Sequence, residues 1–186
     1  DQVFKAGDKV IGVNSSPPPR VALQGSLKYT GTAANLTVNT GIDNSQGGYS
    51  AFTWVKGLQN GDPCYNFSTW RGNANDSVSM QANDKVSTLF SGNSFTSTGL
   101  IFGGDQIGIS SDGKNYVAWN FRTHKNFIDC VAYDGDGQND REIPHNLGCD
   151  VGFIMIKSDD TDTNQNEYLC YHHELGTKKH WGFKTL

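Results

Sequence analysis

The chain has 186 residues, of which 35% are hydrophobic and 11% aromatic, with 22 glycines and a formal charge of -4. That length suits one large domain or two small ones, and a composition rich in Gly, Asn, Ser and Thr favours turns and pleated strands over helices. The acidic balance has no basic stripe to neutralise phosphates, which argues against nucleic-acid binding, and the lack of an apolar run near ~18 residues argues against membrane insertion.

From the N-terminus, "DQVFKAGDKV" lacks the charged start and apolar stretch of a signal peptide. A strand-like "DKVIGV" (8–13) is separated from the rest of the chain by "SSPPPR" (15–20), a polyproline breaker. Residues 1–25 therefore read as an N-terminal strand and linker. Period-2 alternation then predicts strands at "LTVNT" (36–40), "SAFTWVK" (50–56), "QIGIS" (106–110), "NYVAWNF" (115–121), "FIDCVAY" (127–133) and "FIMIK" (153–157). Between them "NSQGG", "QNGDP", "SSDGKN" and "DGDGQND" have turn composition. No 3.6-residue period is sustained, so the expected class is all-β, an antiparallel β-sandwich.

The spacing also predicts an internal repeat. Tyr29-Thr30-Gly31 aligns with Tyr133-Asp134-Gly135 at an offset of 104, and "VNTGID" (38–43) with "IPHNLG" (143–148). Lys56 aligns with Lys157 at an offset of 101, "CYNF" (64–67) with "CYHH" (170–173), and Gly72 with Gly176 at 104. Anchors recurring in order at a nearly fixed distance imply one supersecondary layout written twice. The first unit spans 26–125; the second, 126–186, is a partial copy lacking counterparts of "LIFGG", "QIGIS" and "NYVAWNF". A sandwich short of those strands exposes an edge and an apolar face, so either further chain or another subunit is expected to cover them.

These anchors, together with the "F-x-W-V-K" and "F-I-M-I-K" strands and the closing "NYVAWNF", resemble the repeated β domain of virion structural proteins of tailed bacteriophages, especially marine and cyanobacterial ones. Its layout is related to laminin-G and concanavalin-like jelly rolls. The resemblance covers about 26–186, and "NYVAWNFRTHKNFIDCVAYDGDG" is its most specific stretch. It implies a place on the virion surface and supplies no catalytic residues. The expected role is a tail-fibre or receptor-binding component that mediates host attachment. The alternatives are a capsid decoration (head-fibre) protein and a lectin-like carbohydrate-binding module. Expected partners are copies of the chain, other virion proteins and a host surface glycan.

Catalytic chemistry is not expected: no GxSxG, HExxH, Walker A or dinucleotide fingerprint is present, and the three glutamates suggest no acid pair on a shared strand. Asp134, Asp136 and Asp140 have the alternate spacing of a Ca²⁺ loop, but Asn139 stands where an EF-hand needs Gly and His145 where it needs Glu. A solvated hairpin loop is the competing reading. Asp159, Asp160 and Asp162 in "SDDTDTNQNE" (158–167) are candidate ligands for Ca²⁺ or acceptors for sugar hydroxyls, against a plain surface loop. No other cofactor is expected. Trp70 and Trp181 border polar loops and are candidates for ligand or subunit contact, whereas Trp54 and Trp119 lie inside apolar strands and are expected in the core. His172 and His173 are expected on opposite faces of a strand. Four cysteines without a CxxC pair are expected mainly as free thiols.

Overall fold

A computed structural model describes residues 23–45, 51–59, 61, 64–69, 74, 77–79, 90–106, 108–157, 168–175 and 181–183. Eleven strands form there: β1 (Gln24–Thr30), β2 (Leu36–Asn39), β3 (Ala51–Gly57), β4 (Cys64–Ser68), β5 (Val78–Ser79), β6 (Ser94–Thr96), β7 (Gly99–Phe102), β8 (Asn115–Arg122), β9 (Phe153–Lys157), β10 (Tyr168–His172) and β11 (Trp181–Phe183). Every ladder is antiparallel. Among the described residues there is no α-helix, only 3-10 geometry at His173–Leu175 and at Thr69, so the chain is all-β.

The strands make three sheets, ordered β1-β8-β3-β4-β5, β2-β7-β6 and β11-β10-β9. The first two share one core. Tyr29, Val55, Phe67, Tyr116 and Ala118 from the five-stranded sheet cluster with Val38, Leu100 and Phe102 from the three-stranded one. The cause is visible in β8, whose residues alternate between buried and more exposed along its whole length, the pleat sending Tyr116, Ala118, Asn120 and Arg122 inward. Phe102 reaches across to Tyr29 and Phe67 with ring centroids 6.1 and 5.7 Å apart, and Tyr29 stacks on Tyr116 at 5.4 Å. Each fully buried ring of this kind contributes roughly 1.5–3 kcal/mol through removal from water.

Two further features fasten this unit. Tyr29 donates its phenolic hydrogen to the carbonyl of Ile109 at 2.6 Å, giving its hydroxyl the partner that burial demands. Gly31 sits where a Cβ would stand 2.1 Å from the Ser111 carbonyl oxygen, and its own backbone bonds to Lys114 and Gly113 at 2.8 and 3.1 Å. Glycine is needed there because backbone approaches backbone.

Two predicted strands are not strands. "QIGIS" (106–110) curls into a turn in which the Ile109 and Ser110 amides both donate to the Gln106 carbonyl. Gly108, at φ 89°, permits the curl, and fully buried Ile109 plugs the core from it. "FIDCVAY" (127–133) has the right alternation, but among the described residues its only bridge is Ile128 to His124. Without a neighbouring ladder it stays irregular, leaving Phe127, Val131 and Tyr133 at 39%, 43% and 46% exposure. The "DKVIGV" strand and the polyproline segment lie outside the described residues.

Candidate functional site

Among the described residues, two sheet faces leave apolar side chains outside the core. The first is the outer face of the five-stranded sheet. Here the phase of β8 opposite to Tyr116 carries Val117, Trp119 and Phe121, and the ladder sets Trp119 beside Trp54 and Phe121 beside Phe52. Phe52 and Phe121 stack at 4.9 Å, and Trp54 meets Phe121 edge-on at 5.7 Å. Trp119 is 39% exposed at the margin of this group. The buried Trp54 indole N–H has no hydrogen-bond partner. Lys28 and Lys56 border the patch, opposite Val117 on its two sides, and Asn66 is cross-strand from Trp54. An exposed indole beside polar side chains can stack on an apolar ligand face while neighbours hydrogen-bond to its rim.

The second surface lies on the separate sheet. There β9 pairs with β10 through Ile154–Tyr171 and Ile156–Leu169 rungs, all four on one face. Ile154, Ile156 and Leu169 are 39%, 36% and 41% exposed. The opposite face carries Tyr168 and Cys170, both buried. Among the described residues β9 pairs only with β10, so its other edge presents backbone donors and acceptors without a ladder. Phe153, Cys170, Tyr171, His172 and Leu175 line a small open apolar pocket of about 220 Å³ at the end of this sheet.

Asp134, Asp136 and Asp140 are exposed, and they are not drawn into a metal-holding group: among the described residues no set of three His, Cys, Asp or Glu side chains is arranged for one. Their loop is organised around Arg141 instead. Its guanidinium donates to the Asp134 carbonyl, lies 3.4 Å from the Asp136 carboxylate and sits over the Tyr133 ring. Asp136 also accepts from the Gln138 amide at 3.0 Å, and Asp140 turns the chain with φ 59°. Trp70 and Asp159, Asp160 and Asp162 lie outside the described residues. Trp181 is found in β11, its backbone paired with Cys170.

His172 and His173 depart from the expected opposite faces. The strand ends at His172 and turns at once into the 3-10 segment, so the two rings stack at 4.9 Å. His173 pairs with Glu174 at 2.8 Å, and His172 Nδ1 accepts from the Glu174 amide at 3.3 Å. The cysteines are free thiols, Cys170 buried and Cys149 exposed. Burial, with Asp129 beside it, pushes the Cys130 thiol up to about 12.

Trp54 and Trp119 are the residues that the sequence placed wrongly: they stand on the outer face, not in the core. Both phases of β3 and β8 are apolar, so alternation alone does not identify the inward one. The signal that separates them is the buried polar pair. Thr53 and Asn120 face each other across the ladder in the inward phase, with Asn120 donating to Thr40 at 2.9 Å.

No protein-family model matches the chain, and no curated protein or solved structure matches it either.

Proposed function

We propose that this chain is a structural protein of a tailed-bacteriophage virion, a tail-fibre or receptor-binding component built from a jelly-roll-like sandwich unit and a partial second copy of it. One observation carries the reading: the meander β3-β4-β5 and the meander β9-β10-β11 follow the same antiparallel strand order, with the β9–β10 ladder two residues from the pairing that the Cys64–Cys170 alignment gives, and with Val55 buried where Ile156 is exposed. Lys56 pairs with Cys64, and Lys157 with Tyr168, so the ladders match the second strands at an offset of 104, the offset between Tyr29 and Tyr133. The counterpart of Cys170 is then Asn66, two residues from the sequence pairing with Cys64, and the faces are preserved. Asn66 pairs with Val78 as Cys170 pairs with Trp181.

Serial β units fit a rod or knob in which each copy is completed by its surroundings, and symmetric copies multiply weak contacts into firm attachment. The partners are then other copies, other virion proteins and, at the tip, a host glycan. Immunogold labelling of intact particles with antibody raised to this chain tests the reading. Labelling of the tail supports it, labelling of the head shifts it to capsid decoration, and unlabelled particles overturn it.

Exposed Trp119, backed by Phe121 and Trp54, favours a second reading, a lectin-like module that binds sugar on the outer sheet face. Retention of the isolated chain on a glycan array, lost in Trp119→Ala, would select it.

A further inference from the structure

The outer face of the five-stranded sheet carries charge of the sign opposite to that of the chain. Across one row of its ladders stand Lys28, Val117 and Lys56, and across the next stand Ser26, Trp119 and Trp54. Directly opposed residues share a face, so the two lysines flank Val117 about 10 Å apart, two strand spacings, and the Trp119 row follows about 7 Å along the strands. Among the described residues on this face of β1, β8, β3 and β4, Lys28 and Lys56 are the only charged ones. The chain as a whole has 19 acidic side chains against 15 Lys and Arg. Lys28 and Ser26 are exposed and Trp119 is accessible, whereas Phe52, farther along β3, is buried. The accessible part of the face is therefore its β1–β8 side: a flat indole, a hydroxyl beside it, and cations one row away.

We propose that this face binds a uronate-containing polysaccharide, the C–H face of one pyranose lying on the Trp119 indole and its carboxylate held by Lys28. Lys56 adds positive field from the other side of Val117. The proposal deepens the sugar-binding reading of the outer face and rests on it, not on the virion setting. Indole offers a large rigid apolar area at little cost in side-chain entropy. Lysine brings a compact charge on a flexible stem, able to reach an anion without fixed geometry. A uronate carries its carboxylate directly on the ring, so a ring seated on Trp119 sends the charge along the sheet surface toward the lysine row. A sulfate ester stands on an exocyclic oxygen and fits that path less closely. A neutral sugar leaves the lysines unused, and an acidic peptide leaves the indole unused. Ammonium–carboxylate hydrogen bonds are stronger than neutral ones, and between exposed groups they are screened by salt.

The test titrates the intact chain calorimetrically, at low salt, with oligogalacturonate and alginate oligomers and with the same oligomers after reduction of their carboxylates to alcohols. The expected result is at least about tenfold tighter binding of an acid form than of its reduced form, an advantage that added salt erodes. Lys28→Gln should remove most of that advantage, and Trp119→Ala should weaken binding of the acid form at least about tenfold. Equal affinity for acid and reduced forms, or an advantage that survives in Lys28→Gln, overturns the proposal while the sugar reading stands. Binding that Trp119→Ala leaves unchanged overturns it too, by placing the sugar elsewhere. Tighter binding of dextran sulfate would make the ligand a sulfated glycan, and equally tight binding of polyglutamate would make it an acidic protein; either overturns it. If neither uronate binds, the proposal falls, and a glycan array then separates the two levels: retention on neutral sugars keeps the sugar reading, and retention on none ends it. The comparison of acid with reduced oligomers uses the unaltered chain, so it decides even if Trp119→Ala fails to fold.

Discussion

Val55 and Ile156 each precede a lysine in a strand paired antiparallel with its successor, yet Val55 is completely buried while Ile156 is 36% exposed. The difference lies in what covers the strand. Val55 packs under β2 and β7 through the shared core, whereas the face of Ile156 meets no second sheet among the described residues. Val55→Ala should therefore lower stability by about 2 kcal/mol through lost burial and an unfilled cavity. Ile156→Ala should change it by less than about 0.5 kcal/mol. Urea denaturation followed by tryptophan fluorescence compares the two.

Gly31 and Gly135 make the same contrast in the backbone. A Cβ at Gly31 would meet carbonyl oxygens of Ser110 and Ser111, while one at Gly135 meets nothing within 4 Å. Gly31→Ala should cost about 2–3 kcal/mol, because two backbone segments must separate. Gly135→Ala should be neutral to within about 0.5 kcal/mol. Thermal melting of both variants checks the pair.

Much of the first unit was legible in the sequence because its strands declare themselves by alternation. β2, β3, β8 and β9 fall within a residue or so of the predicted stretches. What was not legible depends on partners. "FIDCVAY" has every local mark of a strand and forms none, since a strand is a relation between two segments and among the described residues it has only the Ile128–His124 bridge. "QIGIS" failed for a different reason: Gly108 at positive φ lets hydrogen bonding to Gln106 win over extension. The outward tryptophans failed because both faces of the central strands are apolar. For the predicted site, the acidic loop at 134–140 was correctly located as a loop, but its charge is answered by Arg141, a residue that the carboxylate spacing did not include.

The Tyr29 hydroxyl links stability to pH. Burial, and secondarily the neighbouring Tyr116, hold its pKa above the ordinary tyrosine value. With the folded pKa raised over an unfolded value near ~10, the contribution is complete below about pH 10 and is lost as pH climbs beyond it. Tyr29→Phe should cost about 1–2 kcal/mol at pH 7, leaving the Ile109 carbonyl without its donor. The variant should also lose stability less steeply above pH 10, by up to about 1.4 kcal/mol per pH unit. Denaturation midpoints between pH 7 and 11 report both effects.

Thiol reactivity should separate Cys149 from Cys130. The former is exposed, and the latter is held protonated by burial and by Asp129 up to about 12. Thiolate is the reacting form, so Cys130 should be modified by a maleimide at pH 8 at least about a hundredfold more slowly than Cys149. Peptide mapping after timed quenching gives the two rates.

Residue-resolved amide hydrogen exchange across 115–134 of the native chain is the most direct test that one β unit is closed and the next is open. The prediction is slow exchange through Asn115–Arg122, which has ladders on both sides, and exchange close to the unstructured rate through 129–134, a few residues later. Comparable protection of the two stretches would contradict the account.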